Sequence, residues 1–261
     1  MNFPRRLRAL CCQQLPLAIA LFATLVPFAP SGFSKDQAKV PQPLRLLVVT
    51  GGHDYEEGAF NQLFSEMQNV SSTHARFGQG AEAKLKLENA GSYDVMLFYD
   101  MNQAHEPHHQ NWLKVLEHGK PTVFLHHALG SYVNWDHYGD IVGGRANFGR
   151  NVVEWAPNTK FQHDVIFRVH IADPNHPITR GLKDFEIFDE TYNHFAVNPG
   201  VHVLLTTDHP TSGRILGWTH RYKKSPIVYL QLGHGPSAYN NPNFRALLTR
   251  SIRWVAAEHR K

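Results

Sequence analysis

Five segments of this chain run from apolar residues into groups that can move protons or hold cations. Leu46-Leu47-Val48-Val49 leads into Gly52-His53-Asp54, Val95-Met96-Leu97-Phe98 into Asp100, and Val123-Phe124-Leu125 into His126-His127. Phe185-Glu186-Ile187-Phe188 leads into Asp189-Glu190-Thr191-Tyr192, and Ile227-Val228-Tyr229-Leu230 into Gly233-His234-Gly235. Open α/β sheets hold their ligands just beyond the carboxyl ends of the strands, so this pattern predicts one crevice lined by imidazoles and carboxylates.

The turn at His126-His127-Ala128-Leu129-Gly130 stands where α/β hydrolases and amidotransferases keep a nucleophile, yet it holds neither Ser nor Cys. Ser131 follows without the G-x-S-x-G frame, so acyl-enzyme chemistry has little support. Strand alternation predicts that one of the two histidines faces the crevice and the other the layer behind. Asp189 and Glu190 beside Tyr192 suit a general base, a metal ligand or an acceptor for sugar hydroxyls. His234 between two glycines reads as an imidazole on a ligand-facing loop. The Thr50-Gly51-Gly52-His53-Asp54-Tyr55 turn before a helix offers N–H groups to an anion or a sugar oxygen, with a turn capped by Asp54 as the plainer reading. It lacks G-x-G-x-x-G, so no nicotinamide is expected, nor any flavin. Gly143-Gly144-Arg145 suggests close backbone approach with a guanidinium aimed at a ligand, or else a surface turn. His105, His108 and His109 have the spacing of a helical metal site, which more often marks solvated side chains.

These groups need a scaffold. Strands are predicted over 44–50, 73–77, 94–99, 121–126, 164–171, 185–188, 201–206, 214–219 and 226–232, and helices over 57–69, 107–118 and 243–258, where apolar residues recur at helical spacing. The first half alternates strand and helix, which predicts a parallel, doubly wound α/β sheet with the first strand central. In the second half strand follows strand, with a hairpin turn at Arg221 to Ser225, which predicts an antiparallel extension.

Composition sets limits. The 261 residues are 42% hydrophobic, enough for a sizeable core. Arg5, Arg6 and Arg8 followed by an apolar run from Leu15 to Ala29 predict an export signal over 1–34, then a linker over 35–43 and a single domain over 44–256. The run is shorter than a membrane span, so no stable membrane insertion is expected after cleavage, and the destination is periplasmic or secreted. Cleavage would lower the formal net charge from +4 to +1, and with no Lys/Arg cluster, nucleic acid is not an expected partner. Cys11 and Cys12 would leave with the signal. The remaining chain then has no thiol for disulfides, nucleophilic attack or metal binding, while all 18 histidines stay.

The order of motifs resembles one family. His126-His127-Ala128 followed by Trp135, then Gly143-Gly144-Arg145, Asp173-Pro174-Asn175-His176-Pro177-Ile178, Asp189-Glu190-Thr191-Tyr192, Leu232-Gly233-His234 and a closing Ile252-Arg253-Trp254-Val255 is similar to the ThuA-like, trehalose-utilisation domain over about 44–256. The resemblance implies a flavodoxin-like core of the class I glutamine amidotransferase-like superfamily. It also implies a small-molecule carbohydrate partner, a trehalose-like disaccharide or its keto form. Histidine replaces the superfamily's cysteine at the elbow, so glutaminase activity is not implied. The stretch after Gly-Gly-Arg departs from the family's Phe-then-His pattern, running Ala146-Asn147-Phe148-Gly149-Arg150.

The resulting expectation places His126, Glu190 and His234 in catalytic positions, with His53, Asp54, His127, Arg145, Asp189 and Tyr192 around a sugar. A second expectation uses His126, Glu190 and His234 as ligands of a divalent metal in a hydrolase. A third is a sugar-binding module without turnover, with Trp135, Tyr138 and Trp218 as its platform.

Overall fold

The computed structural model describes residues 42–102, 108–135, 137–149 and 158–260. The expected signal and most of the expected linker lie outside these residues, as does His105. No helix among the described residues is long and apolar enough to cross a membrane.

The strands are β1 (Leu44–Gly51), β2 (Val70–Arg76), β3 (Val95–Asp100), β4 (Thr122–Leu125), β5 (Gly144–Arg145), β6 (Lys160–Ile171), β7 (Phe185–Asn193), β8 (Ala196–Val197), β9 (His202–Thr206), β10 (Ile215–Tyr222) and β11 (Ser225–Leu230). The helices are α1 (Glu57–Ser65), α2 (Ala81–Lys84), α3 (His108–Glu117), α4 (Tyr138–Val142), α5 (Pro236–Tyr239) and α6 (Pro242–Glu258). Nine strands form one sheet in the order β2-β1-β3-β4-β11-β10-β9-β6-β7, and β5 pairs with β8 apart from it. The first five run parallel and the rest antiparallel, joined by the expected β10–β11 hairpin. The expected α/β class with a flavodoxin-like parallel part and an antiparallel extension is what the chain adopts. The first strand is not central, however: β1 lies second from the edge, because β2 pairs outside it.

Alternation explains why the parallel part is covered on both sides. Leu46 and Val48 of β1, Leu97 and Tyr99 of β3, and Val228 and Leu230 of β11 pack on Phe60 and Phe64 of α1 and on Phe244, Leu248, Ile252 and Val255 of α6. Their neighbours Leu47, Val49, Met96, Phe98, Ile227 and Tyr229 meet Trp112 and Leu116 of α3 and Ile141 of α4 on the other face. Each such side chain stabilises the fold by about 1.5–3 kcal/mol through loss of contact with water. Pro242 opens α6 at a position where its missing N–H costs nothing, and the Asn241 side chain accepts from the N–H groups of Asn243 and Phe244 at 3.0 and 3.3 Å. Helix α1 stops at Ser65, short of the expected Asn69, because Asn69 turns left-handed at φ 56° to start β2.

Two features near the strand ends have measurable consequences. Gly52, at φ 72°, brings the β1–α1 turn so close to the chain leaving β3 that a Cβ would clash with the Met101 carbonyl oxygen. Gly52→Ala is therefore expected to lower stability by about 2–4 kcal/mol, from left-handed strain and a clash with main chain, read as a shifted urea midpoint. Asp100 ends β3 fully buried; burial pushes its carboxyl up to about 7, with the Ser131 hydroxyl, donating at 3.2 Å, pulling the other way. The folded state then holds this proton more tightly than the unfolded chain. Its contribution to stability is undiminished below about pH 4, falls as pH rises from about 4 to 7, and levels off above. Urea titrations at pH 5 and pH 8 should show that decline, of a few kcal/mol at most, and Asp100→Asn should flatten it.

Candidate functional site

The turn after β4 sets the site. His126 adopts a left-handed φ of 55°, and residues 126–130 form a short 3-10 turn rather than a strand continuation. The expected alternation of His126 and His127 therefore fails: both are buried, and both line the same cavity of about 260 Å³. His126 Nδ1 lies 2.6 Å from the Gln231 carbonyl oxygen, which can only accept, so this nitrogen carries the proton. Nε2 is thereby turned into the cleft, where the Tyr192 hydroxyl is 2.7 Å away.

Strand β7 delivers the carboxylates. It runs on through Asp189, Glu190, Thr191 and Tyr192 to Asn193, although the acids suggested a strand end. Glu190 and Tyr192, two residues apart, share a face and line the cavity. Glu190 Oε2 lies 2.9 Å from His126 Nε2 and 3.2 Å from His234 Nδ1, and those two nitrogens are 3.2 Å apart. Asp189 is turned to the backbone: Oδ2 accepts from Gly233 N–H at 2.7 Å, and Oδ1 from the N–H groups of His234 and Glu190, both at 2.9 Å. Its expected role as a ligand acceptor gives way to that of a clamp holding the His234 loop.

Electrostatics follow from this packing. Burial opposes ionisation of Glu190, but the His126 and His234 imidazoles beside it outweigh it and hold the carboxyl well below the usual carboxylate range. The Glu190 hydrogen bond raises His234 above the ordinary imidazole value against the pull of burial. Burial pushes His127 well down, with the neighbouring imidazoles of His126 and His53 adding to it, so His127 is neutral. Its Nε2 is buried without a hydrogen-bond partner. Burial pushes the Tyr192 phenol well up, and the Glu190 charge pushes it further, so it is a hydrogen-bond donor.

The remaining expected residues divide. His53 stacks on His127 at 4.7 Å and forms part of the cavity wall. Asp54 is fully exposed, 3.6 Å from Arg76, on the rim of an adjoining outer lobe of about 420 Å³ that His53, His127 and His234 also line. Arg145 lines neither lobe: it donates to the Val133 carbonyl at 2.7 Å and its stem packs over Gly139. The glycines before it serve Trp218, whose Nε1 would lie 2.7 Å from a Cβ at Gly143, itself at φ 85°. Trp218 and Tyr138 do not form a sugar platform, since both are buried, Trp218 donating to Val142 O at 2.8 Å and Tyr138 to Ala128 O. Trp135 packs against His109 at 4.4 Å.

Sequence reasoning missed His163, Phe148 and Phe161. The register of β6 against β7 slips between Gln162 and Val165, placing His163 and Asp164 opposite Glu190 in a bulge. His163 Nδ1 thereby comes 3.3 Å from Glu190 Oε1. Phe148 and Phe161 supply aromatic walls. An aromatic and an imidazole two residues apart at a strand start, Phe161 and His163, were the available signal.

Comparison with known proteins agrees with this architecture. A putative ThuA-like protein from Parabacteroides merdae superposes with a TM-score of 0.69 at 17% identity, covering 82% of this chain and 90% of its own. One from Bacteroides uniformis gives 0.65 at 18% identity over 86% and 95%. A cytoplasmic protein of Salmonella typhimurium gives 0.59 at 10% identity over 81% and 99%. At such identities the likeness concerns the fold. No curated protein matches the chain. The family model described as trehalose utilisation, ThuA, matches residues 45–255, and the chain therefore belongs to the ThuA family.

Proposed function

We propose that this is an exported ThuA-family protein, periplasmic or secreted, that binds and processes a carbohydrate, a trehalose-like disaccharide or its keto form, without glutaminase activity. The observation that carries this reading is the meeting of His126, Glu190 and His234, from three distant segments, within about one hydrogen-bond length at a cavity with aromatic walls. A disaccharide needs two adjoining subsites. The cavity and the outer lobe share His53 and His127, so one ring can occupy each. The unpartnered Nε2 of His127 and the Tyr192 hydroxyl offer hydrogen bonds to sugar hydroxyls, while Phe148 and Phe161 present apolar faces to a ring.

Glu190 remains ionised and His234 holds a proton readily, so a proton acceptor and a proton donor stand 3.2 Å apart. That pairing supports proton transfer at a sugar carbon or oxygen, with water as the nucleophile where a bond is hydrolysed. The turn after β4 carries imidazoles instead of a thiol, which supports the lack of glutaminase activity.

Calorimetry and chromatography with trehalose, related disaccharides, their keto forms and glutamine test this reading. Binding and turnover of at least one sugar are expected, with glutamine untouched. Glu190→Gln should lower kcat at least ~100-fold while Kd changes less than ~10-fold, the pattern of a lost proton-transfer group. Binding without turnover in the parent protein would indicate a binding module instead, and no binding of any sugar would overturn the reading. Export is tested separately by N-terminal sequencing of the protein recovered outside the cytoplasm; a start near residue 35 is expected.

A further inference from the structure

The three groups at the floor of the cleft have a geometry that hydrogen bonding alone does not demand. His126 Nε2, Glu190 Oε2 and His234 Nδ1 form a nearly equilateral triangle with sides of 2.9, 3.2 and 3.2 Å. Bonds of about 2.0–2.1 Å at tetrahedral angles place neighbouring zinc ligands about 3.3–3.4 Å apart, so the triangle matches one face of such a site within a few tenths of an ångström. His126 Nε2 and Glu190 Oε2 bear lone pairs, and His234 Nδ1 gains one when a cation displaces the proton it shares with Glu190. His126 has its proton on Nδ1, directed at Gln231 O, which leaves Nε2 as a donor to a cation. Packed this closely, the three repel one another unless protons or a cation lie among them.

We propose that His126 Nε2, Glu190 Oε2 and His234 Nδ1 form a three-ligand site for a divalent first-row transition cation, with zinc as the ion the donor set suits best. Two imidazoles and a carboxylate are borderline-soft and favour such an ion over magnesium or calcium, which take oxygen ligands. Each ligand is held from behind in the manner of metal sites. Gln231 O fixes the His126 tautomer, His163 Nδ1 lies 3.3 Å from the other oxygen of Glu190, and Asp189 clamps the main chain of His234. The fourth position opens towards the cavity that His126 and Glu190 line, where a water or a sugar oxygen completes the coordination. This inference shares the cleft with the carbohydrate reading but does not depend on the identity of the sugar.

The test uses full-length protein stripped with a chelator, dialysed, and titrated calorimetrically with Zn²⁺, Mg²⁺ and Ca²⁺. One equivalent of Zn²⁺ is expected with a Kd below about 1 µM, with Mg²⁺ and Ca²⁺ at least ~100-fold weaker. His234→Ala and Glu190→Gln should each weaken zinc at least ~100-fold, since each removes a direct ligand. Substitution at a surface histidine–carboxylate pair, His170→Ala beside Asp184 or His202→Ala beside Asp173, should leave affinity within ~3-fold. Circular dichroism checks that each variant is folded. The conservative His234→Gln, with Co²⁺ as a visible-absorbing probe, replaces any variant that is not; it should lose the intense absorption of a four- or five-coordinate ion. Zinc uptake only near millimolar concentrations, or uptake indifferent to His234→Ala and abolished by His170→Ala, would overturn the proposal. Sugar binding by protein that takes up no zinc overturns the metal site and leaves the carbohydrate reading intact; zinc uptake without sugar binding does the reverse.

Discussion

The site depends on one buried carboxylate that lines neither lobe of the cleft. Asp189 accepts three main-chain N–H bonds, from Gly233, His234 and Glu190, and so ties β7 to the loop that follows β11. Burial pushes its carboxyl up, while His126 and those three donors favour the charged form. Hydrogen bonds to a charged group contribute about 1.5–3 kcal/mol each, more than neutral ones, and loss of this acceptor would leave three N–H groups unsatisfied. The neighbours of the clamp are thereby placed: Glu190 next in β7, His234 next in the loop, and His126 across from both.

The antiparallel half of the sheet supplies what the parallel half lacks. Strands β1, β3, β4 and β11 all release their chain at one edge, which accounts for His53, Met101, His126 and His234 on that side. A flavodoxin-like sheet alone would present imidazoles there without the carboxylate that His126 and His234 share. Strand β7, last in the sheet order, brings Asp189, Glu190 and Tyr192 back to that edge, and the bulge in β6 adds His163. The extension that looked like an appendage in sequence is half of the cleft.

Legibility in the sequence followed burial symmetry. Strands covered on both faces, such as Leu46 to Val49 and Val95 to Phe98, read plainly as apolar runs, and α6 read plainly from the spacing of Phe244, Leu248, Ile252 and Val255. Edge strand β2 begins Val70-Ser71-Ser72 and is half exposed, so its first three residues gave little signal. The polar end of β7 looked like a loop because acids seldom sit in strands, yet here its residues 189–192 are buried, with Glu190 and Tyr192 facing the cleft. Gly143-Gly144-Arg145 misled for a different reason: close approach was right, but the approaching group is the buried Trp218 and not a ligand. The positive φ of His126 had no sequence marker, since glycine is absent from that position.

The turn after β4 narrows the chemistry that these side chains can perform. It presents His126, whose Nδ1 is committed to Gln231 O and whose Nε2 faces an acid, an imidazole and a phenol. An imidazole so enclosed is poorly placed for in-line attack on a bulky substrate. What it can do is hold or exchange a cation, whether a proton or a metal, against Glu190. A reaction at this site would draw its nucleophile, where one is needed, from water, and the protein's part would be to set the charge around that water. Because Glu190 is held ionised against burial by its histidine neighbours, and Glu190 in turn raises His234, these two groups act as a unit, and replacing either alters the protonation of the other.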